Sequence, residues 1–93
     1  MKQKETRSLI DLYSVGPATV RDLKLLGITR VDQLVGKDAR RLYDRLCRLS
    51  GQRLDPCLMD VLSAAIAQAQ DPGLPKEKRR WWYWSRIRKS GKK

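Results

Sequence analysis

The sequence predicts an all-α fold, a compact bundle of about five short helices with a basic, tryptophan-rich tail behind it. Three observations carry that expectation. Apolar residues recur at three- and four-residue spacing, and no segment shows the strict alternation of a half-buried strand. Helix-starting and helix-stopping residues divide the chain at Gly16-Pro17, Gly27, Gly36, Asp38, Gly51 and Asp55-Pro56. A chain of 93 residues has room for one small domain, which buries roughly 60–65% of the surface it exposes when unfolded.

The first helix is expected over about 7–13, with Leu9, Ile10 and Leu12 as its apolar side. A corner, Ser14-Val15-Gly16, follows. The second helix spans about 17–26. Pro17 suits its first position, where a missing N–H leaves no intrahelical bond unmade. Val20, Leu23 and Leu26 are its apolar side, Gly27 suits a left-handed stop, and Ile28 is placed to close it. Thr29 is expected to cap a third helix over 30–35, with Asp32 completing a shortened capping box. Gly36 ends that helix and Asp38 caps the fourth, about 39–49. There Ala39, Leu42, Tyr43, Leu46 and Leu49 share one face, while Arg40, Arg41, Arg45 and Arg48 occupy the other. Asp55-Pro56 starts the fifth, about 56–70, which buries Leu58, Leu62, Ala65, Ile66 and Ala69. Residues 1–70 thus form the helical domain. Residues 71–93 form a linker and the tail, with the tryptophan cluster packed back on the domain.

Charge is uneven along the chain. Residues 1–75 carry a net charge of +3 and residues 76–93 a net charge of +8. Such a tail points to a polyanionic partner. The N-terminus has no apolar core of a signal peptide, and no apolar run approaches membrane-spanning length. Cys47 and Cys57 are too few for a disulfide framework. With no His present, neither a side-chain metal site nor a base poised near neutral pH is expected. The carboxylates are scattered and several serve as caps. A non-enzymatic protein is expected, without cofactor or small-molecule substrate, in the cytoplasm.

One segment, "LYSVGPATVRDLKLLGI" at 12–28, holds the best candidate site. A helix that starts at Pro17 leaves the N–H groups of Gly16, Ala18 and Thr19 without intrahelical acceptors. The helix dipole adds partial positive charge there, and a phosphate fits such a place without base contacts. Ser14, Val15, Gly16, Pro17, Ala18 and Thr19 build the corner. Arg21 and Lys24 stand further along the same helix to reach the same phosphate or the next.

Leu12, Val15, Gly16, Pro17, Thr19, Val20, Leu23, Leu26, Gly27 and Ile28 resemble the helix-hairpin-helix DNA-binding class, a SAM-like motif. The pattern's first glycine is Ser14 here, the proline before it is Tyr13, and the usual lysine after Gly-Pro is Ala18. Further on, "VDQL", "LYDRLCRLSG", "DPC" and "WWYW" resemble the small bacterial pathogenicity-locus or mitomycin-resistance-like family, itself similar to competence-regulator C-terminal domains. The resemblance covers about 9–84. It implies a compact helical fold and binding of DNA, duplex or single-stranded.

Trp81, Trp82 and Trp84 stand among Arg79, Arg80, Arg86 and Arg88. Aromatics mixed with cations suit stacking on unpaired bases, and they equally suit packing of a core that lacks Phe. Arg40 and Arg41 begin a second basic surface. The expected function is sequence-independent binding of the DNA backbone. The rival expectation is a protein-interaction adaptor with a purely structural corner and Trp82 or Trp84 as the partner anchor.

Overall fold

A long helix near the C-terminal half, buried on more than one side, organises the molecule. The computed structural model describes residues 7–90, so the end of the expected tail lies outside them. A 3-10 turn at Leu9–Asp11 precedes α1 (Pro17–Leu25), and a second at Val31–Leu34 precedes α2 (Ala39–Ser50). Then come α3 (Cys57–Gln70), a third turn at Lys76–Arg79, and α4 (Trp81–Lys89). Among the described residues there is no strand, and the all-α expectation holds. Four α-helices stand among the described residues, where about five were expected.

α3 is the central element, with α2, α4 and the second and third 3-10 turns packed around it. Its alanines explain how. Ala64 and Ala65 are wholly buried, and small side chains let neighbouring backbones approach. Leu23, Val31, Leu34, Leu46 and Leu62 form the middle of the core, walled by Leu9, Leu12, Leu26, Ile28 and Ile66. Burying one such side chain stabilises the fold by about 1.5–3 kcal/mol.

α1 starts and stops as expected. Pro17 is its first residue. At its end Gly27 takes φ 82°, its N–H reaches the Lys24 carbonyl, and the Ile28 N–H reaches that of Leu23. This is a Schellman ending, with Ile28 buried beneath it. α2 is capped by Asp38, whose carboxylate accepts the Arg41 N–H at 3.1 Å. It buries Leu42, Tyr43 and Leu46. Leu49, expected on the same face, is instead 58% exposed.

The first expected helix is only a 3-10 turn. The reason lies at Tyr13, whose N–H donates to Gln68 Oε1 and whose carbonyl accepts from Gln68 Nε2, both at 2.8 Å. With both backbone groups taken by a side chain of α3, the turn cannot propagate through Tyr13. The third expected helix is likewise a 3-10 turn, and its cap is neither Thr29 nor Asp32. Gln33 Oε1 accepts the N–H groups of Thr29 and Arg30, while Asp32 pairs with Arg30 at 3.0 Å.

The tryptophan-rich segment forms α4, lying along α3. Asp60 of α3 is 2% exposed and takes two hydrogen bonds from Arg88, each 2.9 Å. That bidentate pair pins the far end of α4. Asp60 raises the Arg88 pKa above its already high ordinary value, against the opposing effect of desolvation.

Candidate functional site

The corner at Ser14 to Thr19 is held from behind and open in front. Gln68, 6% exposed on α3, grips Tyr13 as described and also bonds its own helix at the Ala64 carbonyl. Ser14 adopts the left-handed region at φ 73°, the conformation that a glycine takes at lower cost. Its hydroxyl does not cap α1. It donates to the Arg79 carbonyl at 3.0 Å and accepts the Trp81 N–H at 3.1 Å. Ser14 therefore caps α4 from a distance in sequence, and ties the corner to the start of that helix. Val15 faces the core and is 7% exposed, so its side chain supports the corner from within.

The front of the corner is the backbone from Gly16 to Thr19. Among the described residues, the N–H groups of Gly16, Ala18 and Thr19 have no hydrogen-bond partner. Pro17 and Ala18 are exposed, and Gly16 and Thr19 are half-buried. Gly16 has φ −108° and ψ 179°, ordinary extended backbone open to any residue. A Cβ there would meet no atom within 4 Å. Among the described residues nothing requires glycine at 16. Arg21 and Lys24 are exposed on α1, and neither pairs with a carboxylate among the described residues.

The basic and aromatic residues of the C-terminal segment divide. Arg88 is committed to Asp60. Arg79 Nε donates to the Leu74 carbonyl at 2.8 Å. Arg80 stacks over the Trp82 ring at 5.3 Å, and its buried Nε has no partner. Trp84 is anchored by Nε1 donating to the Lys78 carbonyl at 2.7 Å, and its ring meets Tyr83 edge to face. Trp81 is half-buried, its ring edge-on to Trp82. Trp82 is the most open of the three, 44% exposed. Arg86 points to solvent. Trp81 and Trp84 are thus half-buried against their neighbours, while Trp82 stays open beneath Arg80.

Arg40 and Arg41 are exposed on α2, with Arg40 loosely paired to Asp44 at 3.8 Å. Cys47 and Cys57 are free and half-buried. The Cys47 Sγ accepts the Leu54 N–H at 3.4 Å. Burial pushes the Cys57 thiol pKa up, so it stays protonated at neutral pH. Among the described residues no helix is long and apolar enough to cross a membrane.

Sequence reasoning missed Gln68 and Asp60, the two polar side chains that position the corner and α4. One signal could have found them. Asp60, Ala64 and Gln68 stand four apart on α3, a second row beside the apolar one, and polar residues in such a row need partners.

The chain matches the pathogenicity-locus family, Cdd1, over residues 2–90. It is 39% identical over 89 residues to a protein named mitomycin resistance protein McrB from Streptomyces lavendulae, covering 96% of this chain and 81% of the relative. No solved structure matches. The chain therefore belongs to the pathogenicity-locus family.

Proposed function

We propose that this protein is a non-enzymatic DNA-binding module that grips the phosphate backbone with little regard to sequence. In this reading residues 9–28 act as a helix-hairpin-helix whose first arm is shortened to a 3-10 turn, and the likeness to competence-regulator domains belongs with it. The observation that carries the reading is the open set of amides at Gly16, Ala18 and Thr19 on a corner fixed by Gln68 and Ser14. Such donors, at the positive end of a helix dipole, suit a phosphate oxygen. Arg21 and Lys24 lie on the same helix to meet neighbouring phosphates. Carried to this chain, the relative's name adds a role in mitomycin resistance.

The test is a titration of the full chain with a short duplex and a matching single strand at several salt concentrations. If ~4–6 phosphates are neutralised, the logarithm of affinity falls against the logarithm of salt with a slope near −4 to −5. Arg21→Glu with Lys24→Glu should flatten that slope and weaken binding. A flat salt profile in the parent protein contradicts the reading.

A protein-interaction adaptor is the second reading, and the exposure of Trp82 favours it. Under that reading Trp82→Ala abolishes capture of a protein partner, while the Arg21 and Lys24 reversals change nothing.

A further inference from the structure

A groove of about 740 Å³ opens at the opposite end of α3 from the corner, where the C-terminus of α2 meets the start of α3 and the end of α4. Four guanidiniums line it: Arg40, Arg48, Arg53 and Arg88. A single carboxylate, Asp44, shares the lining. Arg88 is held by Asp60 from beneath, and Arg40 meets Asp44 loosely. Arg48 and Arg53 pair with no carboxylate among the described residues.

The floor of the groove is already built. The Tyr43 hydroxyl donates to the Leu54 carbonyl, and Cys47 Sγ accepts the Leu54 N–H. Those two bonds fix the loop that carries Arg53 against α2. Like charges gathered in a preformed hollow repel one another unless an anion joins them. Guanidinium forks match phosphate oxygens two at a time. The hollow is far larger than an inorganic phosphate needs, and Tyr43, Pro56 and Met59 give it an apolar wall beside the cations. A flat ring on one side and an anionic group on the other fit that division.

We propose that this groove binds a nucleotide through its phosphate, with Arg48 and Arg53 as the phosphate-holding residues and the base against Met59 and Pro56. The nucleotide is free or is one unit of a strand; the phosphate ester is common to both. The site is separate from the corner, because Met59 and Gln68 lie about 14 Å apart along the α3 axis at 1.5 Å per residue. It stands or falls independently of backbone binding at Gly16.

The test uses the full chain, with backbone and arginine Nε–H resonances followed by NMR. The probes are adenosine monophosphate, adenosine without phosphate, and a short single-stranded oligonucleotide. Saturable shifts at Arg48, Arg53 and the Cys47–Gly51 amides are expected with the monophosphate and not with adenosine. The double variant R48Q/R53Q, on exposed positions, should weaken that binding roughly tenfold, with circular dichroism unchanged. Shifts produced only by the oligonucleotide, and lost in the same variant, identify the ligand as a strand unit and still support the site. Gly16→Val, which alters only the corner, should leave the groove shifts in place. Absence of groove shifts with every probe overturns the proposal. So do shifts that survive R48Q/R53Q, or that vanish with Gly16→Val in a folded protein.

Discussion

At the residue scale, Ser14 carries the most structural weight for its size. A non-glycine residue in the left-handed region costs about 1 kcal/mol or somewhat more, and two hydrogen bonds of about 1 kcal/mol each offset it. Ser14→Ala keeps the strain and loses both bonds, so it should destabilise the protein by about 2 kcal/mol. Ser14→Gly loses the bonds but relieves the strain, and should cost about half as much. Denaturant midpoints at constant m-value check the order of the two. Gln68→Leu should cost about 2–3 kcal/mol, because it leaves both backbone groups of Tyr13 unsatisfied. None of this was legible at position 14 from sequence. The departure from glycine was visible, but its remedy uses backbone groups of Arg79 and Trp81, more than sixty residues away.

At the scale of elements, the far end of α4 depends on the ion pair between Arg88 and the buried Asp60 carboxylate. Arg88→Met leaves the Asp60 carboxylate buried without its partner and should cost about 3–5 kcal/mol. The double variant Arg88→Met with Asp60→Leu should recover much of that loss, because an apolar pair needs no desolvation. Thermal melts of both variants test this. The start of α3 gives a pH dependence. The Cys57 N–H, donating to Asp55 at 2.9 Å, holds the Asp55 carboxyl below its ordinary value. A lowered folded pKa means that Asp55 stabilises the fold above its unfolded pKa of about 3.9 and ceases to as pH falls through the folded value. Melting temperature should drop as pH falls below about 4, and drop less in Asp55→Asn, which caps without titrating. Elements with local signals were the readable ones: α1 through Pro17 and Gly27, α2 through Asp38 and Gly51, α3 through Asp55. The first expected helix had no start signal and was cut short by a long-range side chain, Gln68; the third had signals at both ends, but they enclose too few residues for more than a 3-10 turn capped by Gln33.

For the whole molecule, the tail's charge was legible and its role was not. Net charge says nothing of which cations are already engaged: Arg88 and Arg79 are hydrogen-bonded within the fold, and Arg80 lies over the Trp82 ring. Removal of 76–93 would take away α4, uncover α3 and orphan Asp60. The truncated chain should therefore lose cooperative unfolding, as followed by circular dichroism, rather than behave as a tail-less binder. The candidate corner was legible in sequence because its donors are backbone groups fixed by Gly16-Pro17. The arginine groove was only half legible, since Arg48 and Arg53 stand in different elements and come together only when the loop at Leu54 closes on Tyr43 and Cys47.

The most direct measurement is the amide NMR spectrum of the full chain during titration with a short DNA duplex, at low and at moderate salt. The N–H signals of Gly16, Ala18 and Thr19 should move first and furthest, with Arg21 following, and added salt should reverse the shifts. Shifts confined to α4 and the C-terminal residues, with those three amides unmoved, would contradict phosphate binding at the corner.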